Sequence, residues 1–223
     1  MQLRQTLGIE PGLTAIIGGG GKTTLLYALA REFSQTERVI VCATTHILPP
    51  EHLPCLTEDS EAEVRAALCK TNCACVGTKS ADGKFSAPEI PFAQLLQLAD
   101  FIFVEADGSK HLPLKAHASH EPVIPPEANQ TILVLGVSGL GKPIVRAAHR
   151  PALYAQKLGV PENTIVTPEL AARLLNLEAL HTRVLVNQAE TKEELALARE
   201  LAGFLSCPVA AGALQKENVI CLC

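Results

Sequence analysis

Residues 13–24 read Leu-Thr-Ala-Ile-Ile-Gly-Gly-Gly-Gly-Lys-Thr-Thr, and the interpretation of the whole chain starts from them. The run Leu13 to Ile17 is short and mostly apolar, which is typical of a strand buried in a parallel sheet. The four glycines that follow predict a tight loop. From Thr23 to Phe33 the apolar residues recur at helical spacing, so we expect the loop to lead into an amphipathic helix.

A strand, a glycine-rich loop and a helix in this order are typical of a phosphate-binding loop, or P-loop. The usual string G-x-x-x-x-G-K-S/T is met only in its second half, because Ile16 occupies the position of the first glycine. The form G-G-x-G-K-T-T fits better, and it is met by Gly18, Gly19, Gly21, Lys22, Thr23 and Thr24, with Gly20 at the variable position. That form resembles the branch of P-loop proteins that contains partitioning ATPases and metal-enzyme maturation GTPases. Partitioning-type members often carry a lysine where this chain has Ile17, which counts against that subgroup.

Each part of this loop has an expected task. Glycines have no Cβ, so the N–H groups of Gly18 to Gly21 can surround phosphate oxygens. The start of the following helix adds partial positive charge. Lys22 is expected to reach the β- and γ-phosphates, and the Thr23 hydroxyl is expected to hold Mg²⁺. The predicted cofactors are therefore Mg²⁺ and GTP or ATP.

Acidic residues follow another buried run, Phe101 to Val104. Glu105 and Asp107 are candidates to organise Mg²⁺ and the attacking water, and we expect one of the two to reach the metal. The spacing from Glu105 to Gly108 is similar to the second switch of metal-maturation GTPases, where the glycine contacts the γ-phosphate. With Lys22, these two carboxylates are the predicted catalytic residues.

The segment Asn187-Gln188-Ala189-Glu190 follows a predicted strand at residues 183–186, where GTPases place the guanine-reading sequence N-K-x-D. Asn187 matches that sequence, whereas Gln188 and Glu190 depart from it. The Glu190 carboxylate can still accept hydrogen bonds from guanine, so we favour GTP over ATP. Residues 136–142 also fit G-x-x-x-x-G-K, but Pro143 offers no hydroxyl to a metal. We interpret that segment as a turn near the ligand or at a subunit contact.

The rest of the chain alternates predicted strands and helices, which indicates an α/β fold with a mainly parallel sheet and helices on both faces. We expect one P-loop NTPase domain over residues 1–223. It would contain an inserted small hairpin at about 71–91, formed by residues 73–77 and 84–86 around Asp82-Gly83, and a long functional loop at about 106–130. The other predicted segments are strands at 39–43, 132–135 and 209–211 and helices at 60–69, 167–175 and 191–205.

Composition narrows the class of protein. The chain has 223 residues and a net charge of −4, and no basic stripe of the kind that binds nucleic acid. No apolar run reaches the roughly 18 residues of a membrane span, and the N-terminal residues show no signal peptide. We therefore expect a cytoplasmic protein whose eight cysteines are mostly reduced. Cys73-x-Cys75 and Cys221-x-Cys223 lack the spacing of a structural zinc site.

The segments around the long loop carry a more specific resemblance. They are Glu105-Ala-Asp-Gly-Ser-Lys-His-Leu-Pro-Leu-Lys115 and His120-Glu-Pro-Val-Ile-Pro125, together with Thr44-Thr45-His46 and His149-Arg150-Pro151. With the glycine-rich loop, they resemble the selenium-dependent hydroxylase accessory protein family, also called the YqeC family. The resemblance implies a role in maturing selenium-dependent molybdenum hydroxylases, with a client hydroxylase or cofactor-handling protein as partner.

Several alternatives stay open at this level. Gly108, Lys110, Lys115 and Arg150 are candidates to meet a phosphorylated ligand, whereas His111, His117 and His120 are interpreted as ordinary loop histidines rather than metal ligands. The protein is a hydrolysing NTPase, a kinase or nucleotidyltransferase acting on a pterin-like ligand, or a nucleotide-gated delivery module. Nucleotide-dependent homodimers are common in this branch of P-loop proteins, so a homodimer is also open.

Overall fold

The computed structural model of the chain describes residues 2–49, 53–57, 60–80 and 83–222. Its helices are α1 Leu3–Thr6, α2 Lys22–Phe33, α3 Glu61–Thr71, α4 Phe92–Leu95, α5 Ile144–Ala147, α6 Pro151–Leu158, α7 Pro168–Glu178 and α8 Lys192–Ala202. Its strands are β1 Gly12–Gly18, β2 Val39–Ala43, β3 Cys55–Leu56, β4 Cys73–Val76, β5 Phe101–Glu105, β6 Leu114–Lys115, β7 Ala128–Gly136, β8 Ala148–His149, β9 Arg183–Asn187, β10 Val209–Ala213 and β11 Asn218–Cys221.

Nine of these strands form one sheet in the order β11-β10-β9-β7-β1-β5-β2-β4-β3. All neighbours in it are parallel except β10 and β11, which are antiparallel. The strand that enters the glycine-rich loop, β1, lies at the centre between β7 and β5. The prediction of a mainly parallel α/β sheet is therefore confirmed.

Helices cover both faces of the sheet because the side chains of the central strands alternate between two apolar layers. From β1, Ile16 faces the layer that contains α1 and α2. Its neighbours Ala15 and Ile17 face the layer built by α5 to α8. Leu13 joins a third cluster, which α3 and α4 complete. None of the helices in the described ranges has the length and apolar character needed to cross a lipid bilayer.

The prediction that residues 73–77 form the first strand of a hairpin is wrong. Cys73–Val76 is strand β4, fully buried and parallel to β2, as expected for a short continuous apolar run. A smaller antiparallel pairing is present instead between residues 78–80 and 84–87, where Ser86 donates its N–H to the Thr78 carbonyl at 2.9 Å. Of the predicted turn, Asp82 lies outside the described residues.

Candidate phosphate-binding site

The predicted site residues meet at one edge of the sheet. Because β1, β5, β7 and β9 are parallel, their carboxyl ends lie on the same side. The glycine loop follows β1, Glu105 ends β5, Gly136 ends β7 and Asn187 ends β9. The fold thus brings together four segments that are far apart in the sequence.

The glycine loop is tighter than predicted. Ile16, at the position of the usual first glycine, is buried in the sheet, and β1 continues to Gly18, which pairs with Val134 of β7. Only residues 19–21 then separate β1 from α2. The N–H of Gly18 donates to Asp107 Oδ2 at 3.0 Å, and those of Gly19 and Gly20 donate to backbone carbonyls, of Val134 at 2.8 Å and of Leu112 at 3.1 Å.

These internal hydrogen bonds correct the predicted phosphate cradle. The N–H groups of Gly18, Gly19 and Gly20 are used within the protein, so they do not surround a ligand in this conformation. The donors that remain are at Gly21 and in the first turn of α2, whose N–H groups have no preceding turn to bond to. The phosphate contacts left to the backbone are thus those of residues 21–24.

Close packing alone requires glycine in this loop. A Cβ on Gly20 would stand 2.1 Å from the backbone nitrogen of Gly136, and the Gly20 φ angle is +69°. A Cβ on Gly19 would stand 2.5 Å from the carbonyl oxygen of Leu112. The segment that contains Leu112 belongs to the long loop, and it lies directly against the glycine loop.

Lys22 folds back over the loop and lies between two carboxylates. Its Nζ donates to the Gly18 carbonyl at 2.8 Å and to Ser109 Oγ at 3.2 Å. The same atom is 3.3 Å from Asp107 Oδ1 and 3.7 Å from Glu105 Oε1. The side chain is only 4% exposed, so its charge is compensated inside the protein.

Thr23 and Glu105 form the oxygen pair that a metal ion would need. The Thr23 hydroxyl donates to Glu105 Oε2 at 2.7 Å. Burial raises the pKa of the Glu105 carboxyl, although Lys22 and the Thr23 hydrogen bond work in the opposite direction. Hydroxyl and carboxylate oxygens are hard donors that suit Mg²⁺, which usually takes one or two carboxylates besides phosphate and water. These two residues therefore fit the predicted ion.

Asp107 is held by donors of the protein itself. Its side chain is completely buried, and Oδ2 accepts from Gly18 N, from Lys115 at 3.1 Å and from His117 Nε2 at 2.8 Å. Burial opposes ionisation, but the His117 hydrogen bond and the lysine charges outweigh it and lower the Asp107 pKa. Asp107 anchors the glycine loop through Oδ2, whereas its Oδ1 has no hydrogen-bond partner among the described residues and lies 3.3 Å from Lys22 Nζ. Glu105 is the carboxylate that contacts Thr23.

Two of the cations predicted to meet a phosphorylated ligand are already used within the protein. Lys115 is buried, donates to the Gly108 carbonyl at 2.6 Å and pairs with Glu121 at 3.0 Å. Arg150 pairs with the same Glu121 at 2.7 Å. Lys110 is the exception, since it is exposed, in a left-handed backbone conformation with φ of 49°. Of the predicted set, Lys110 and the exposed Gly108 remain open to solvent.

His117 is a functional candidate that the sequence did not indicate. It is 2% exposed and lies between two carboxylates, with Nε2 2.8 Å from Asp107 and Nδ1 2.6 Å from Glu178. Lys157 pairs with Glu178 at 2.7 Å. Burial works against the charged imidazole, but the hydrogen bonds to both carboxylates outweigh it and raise the His117 pKa. The interpretation of His117 as an ordinary loop histidine is wrong. Among the described residues no group of three or more histidine, cysteine or acidic side chains is placed to hold a metal ion.

We expect the ion-paired His117 to make stability depend on pH. Its pKa is raised in the folded state, so its contribution is complete below the ordinary value of 6.5 and is lost as pH rises through the folded value. The His117→Gln variant should therefore lose more unfolding free energy, relative to wild type, at pH 6 than at pH 9. Chemical denaturation across that range measures the difference. Exposed His46→Gln is the control, and a pH-independent difference for His117→Gln would contradict the charged assignment.

The three predicted base-reading side chains also have protein partners. Asn187 is buried, donates to the Gly20 carbonyl at 2.8 Å and accepts from Leu214 N at 3.1 Å. Gln188 accepts from Ser138 at 2.6 Å, and exposed Glu190 pairs with exposed Lys216. Asn187 thus connects the glycine loop to the end of β10. Of the three side chains, Glu190 can change its partner most readily, because a ligand can displace Lys216 from an exposed ion pair.

The segment at residues 136–142 is a turn beside the glycine loop. The Gly136 N–H donates to the Pro113 carbonyl at 2.9 Å, and Val137–Gly139 form one turn of 3₁₀ helix. Lys142 is exposed. This agrees with the interpretation as a turn near the ligand rather than a second P-loop.

A groove of about 850 Å³ begins at Thr23 and Thr24 and runs along α2. Tyr27 and Arg31 of that helix line its floor. One wall contains Leu48, Pro49 and Leu53, and the other contains Leu214, Gln215 and Glu217. Lys216, the partner of Glu190, lies within the second wall segment. The groove therefore extends from the start of α2 to the segment that follows β10.

Together these features define an α/β protein of the P-loop type, with a glycine loop, a buried lysine and a Thr-Glu pair at the carboxyl edge of a parallel sheet. The chain belongs to the YqeC family, because residues 14–152 match the family described as YqeC protein. The uncharacterized protein YqeC of Escherichia coli (strain K12) is 33% identical over 179 residues, which cover 77% of this chain and 68% of the relative. The family resemblance drawn from the sequence is thus confirmed.

Among solved structures, chloroplast FtsY from Physcomitrella patens is similar with a TM-score of 0.47 and 18% identity. The alignment covers 92% of this chain, which spans 59% of that structure's chain.

Proposed function

We propose that this protein binds a nucleoside triphosphate with Mg²⁺ at the start of α2. The observation that carries the proposal is the contact between Thr23 and Glu105, 2.7 Å apart, next to the buried Lys22. A phosphate site needs a cation and backbone donors, and a Mg²⁺ site needs oxygen ligands. All three are found within one turn of helix and the end of the adjacent strand.

Each residue would bind a different part of the Mg²⁺–nucleotide complex. Lys22 would bind the phosphate oxygens together with the N–H groups of residues 21–24, and Thr23 and Glu105 would hold Mg²⁺. Bound Mg²⁺ would neutralise phosphate charge. Lys22 must then exchange its contact with Asp107 for phosphate, and Asp107 keeps Lys115 and His117 as cationic partners after that exchange. The anchor of the glycine loop is thereby preserved when the ligand binds.

We further propose that the nucleoside occupies the end of the α2 groove next to Thr24 and Gln215. This end is continuous with the start of α2, and it is lined by Gln215 and Glu217, the chain neighbours of Lys216, which pairs with Glu190. An exposed ion pair contributes little to stability, so a base that hydrogen-bonds Glu190 can replace Lys216. Guanine presents two adjacent donors, N1–H and N2–H, to one carboxylate, whereas the adjacent ring nitrogen of adenine is an acceptor, and this favours GTP over ATP.

Hydrolysis is proposed to be slow in the isolated protein. Phosphoryl transfer is strongly accelerated by an arginine at the transferred phosphate, supplied by the same chain or by a partner. Among the described residues no arginine lies within ion-pair distance of Glu105 or Asp107, the carboxylates of the site. The resemblance to the selenium-dependent hydroxylase accessory family supplies the biological context. In it, the nucleotide state would be coupled to maturation of a molybdenum hydroxylase.

The Glu105→Gln variant tests the metal site. Glutamine keeps the size of the side chain and a hydrogen bond to Thr23 but removes the charge. We therefore expect the gain in nucleotide affinity on adding Mg²⁺ to be smaller than in wild type by a factor of about 10 or more. Nucleotide titrations with and without Mg²⁺, followed by calorimetry, measure the effect. Exposed Glu200→Gln on α8 is the matched control and should behave as wild type. A full Mg²⁺ dependence in Glu105→Gln would show that another group holds the ion.

A further inference from the structure

Two cysteines face each other at the outer edge of the sheet, away from the phosphate site. Cys55 lies on β3, the last strand of the sheet, and Cys75 lies on the neighbouring strand β4. The two residues are direct partners in the parallel register of these strands. The Cys75 N–H also donates to the Pro54 carbonyl at 2.8 Å, which holds the two backbones together beside the thiols.

The two thiols are in contact but differ in access to solvent. As direct register partners they are close enough to share a proton, and the Cys55 thiol also donates to the Leu53 carbonyl at 3.4 Å. Cys75 is buried, whereas Cys55 is partly exposed. A reagent from solution can therefore reach Cys55 first, and the buried sulfur of Cys75 is its immediate neighbour.

The hydrogen bond between the two thiols also separates their acidities. It lowers the pKa of Cys55 to about 7, although partial burial works in the opposite direction. The same hydrogen bond and its own burial raise the pKa of Cys75. At pH 7 about half of Cys55 is therefore thiolate, the nucleophilic form, whereas Cys75 stays a thiol that stabilises it.

We propose that Cys55 and Cys75 form an oxidisable dithiol site for low-molecular-weight disulfides, with Cys55 as the attacking sulfur and Cys75 as the resolving one. In the first step the Cys55 thiolate attacks a disulfide RSSR, forming the Cys55–SR mixed disulfide and releasing RS⁻. In the second, Cys75 loses its proton to solvent and attacks Cys55, forming the Cys55–Cys75 disulfide and releasing a second RS⁻. The protein loses two electrons and one RSSR becomes two thiols.

The backbone geometry permits this bond. Neighbouring strands are about 4.8 Å apart, and disulfides join residues whose Cα atoms are about 4.4 to 6.8 Å apart. Residues that are direct register partners can therefore form a disulfide without any movement of β3 relative to β4. The remaining change is a rotation of the two side chains.

The site adjoins the groove along α2. Leu53, two residues before Cys55, lines one wall of that groove, and Tyr27 lines its floor. Burial is the main cause of the raised Tyr27 pKa, and the nearby Glu105 carboxylate and Cys55 thiolate raise it further. Oxidation would therefore fix the wall segment that leads into β3.

Glutathione disulfide is the probe for the test, with the intact protein and its peptides analysed by mass spectrometry. Wild type should form the Cys55–Cys75 disulfide and carry no stable glutathione. Cys75→Ser should stop at the mixed disulfide and keep one glutathione on Cys55. Cys55→Ser should form neither product. Cys69→Ser, which removes an exposed thiol on α3, should oxidise as wild type does.

Alkylation of the wild-type protein by iodoacetamide gives a second measurement that needs no variant. At pH 7 Cys55 should react about 3-fold faster than N-acetylcysteine, because the larger thiolate fraction at a pKa of about 7, compared with the ordinary value near 8.5, outweighs the lower nucleophilicity of a less basic thiolate. A persistent glutathione adduct on Cys55 of the wild type, a disulfide that joins other cysteines, or a Cys55 rate equal to that of N-acetylcysteine would each overturn the proposal.

Discussion

Replacing Lys22 with alanine should weaken Mg²⁺-dependent nucleotide binding by about 10- to 100-fold, because hydrogen bonds to charged groups contribute roughly 1.5–3 kcal/mol. Lys22 is the first residue of α2, next to the free N–H groups of that helix. Its Nζ is within 3.7 Å of both Glu105 and Asp107. Without its charge, a triphosphate would face two carboxylates. Direct binding of labelled GTP and ATP to the purified variant measures the loss.

The chain itself provides the matched control. Lys142 ends the second G-x-x-x-x-G-K segment but is exposed and lies in a turn, so Lys142→Ala should bind nucleotide as wild type does. Lys22→Ala also leaves Glu105 and Asp107 buried next to each other, so its folding must be verified by circular dichroism. Lys22→Gln, which keeps a hydrogen-bond donor, serves as a second variant. Unchanged affinity in folded Lys22→Gln and Lys22→Ala would contradict the proposed role.

Replacing Asp107 with alanine should cost about 3–5 kcal/mol of unfolding free energy, the usual result of removing one partner from a buried ionic network. Asp107 is fully buried, and its loss leaves Lys115, His117 and the Gly18 N–H without their shared acceptor. The glycine loop should loosen as a consequence. Urea denaturation of the variant and wild type under the same conditions measures the change.

Asp100→Ala is the control for this prediction. Asp100 also pairs with a basic residue, Arg38, but both side chains are exposed, and exposed ion pairs contribute little. Similar destabilisation in the two variants would show that Asp107 is no more important to the fold than a surface carboxylate.

Local patterns predicted most of the fold. The apolar run before the glycine loop and the helical spacing after it are contained within about 20 residues, and the structure has β1 and α2 there. The helix predicted at 191–205 is likewise present as α8, which begins at a capping box formed by Thr191 and Glu194. The segment Cys73–Val76 was misassigned because a short apolar run next to Asp-Gly fits a hairpin as well as a buried strand.

Contacts between distant segments could not be predicted in this way. Leu112 lies against the glycine loop through a carbonyl in an irregular segment, which leaves no pattern of side chains. His117 and Glu178 are 61 residues apart, and Asn187 and Gly20 are 167 apart. The register with β7 also extends β1 by one residue beyond the predicted run, to Gly18.

These long-range contacts change the chemistry assigned to individual residues. The sequence placed Glu105 and Asp107 in one group, whereas their partners separate a carboxylate beside Thr23 from an anchor of the glycine loop. They also pair Lys115 and Arg150 with Glu121 inside the protein.

The most direct test of the account is calorimetric titration of the wild-type protein with GTP and with ATP, each in the presence and absence of Mg²⁺. We predict saturable binding of one nucleotide per chain that is strengthened by Mg²⁺, with GTP preferred. ATP preference would retain the phosphate site and refute the role of Glu190 in reading the base. Absence of binding by either nucleotide, with and without Mg²⁺, would contradict the central claim that the start of α2 is a nucleotide site.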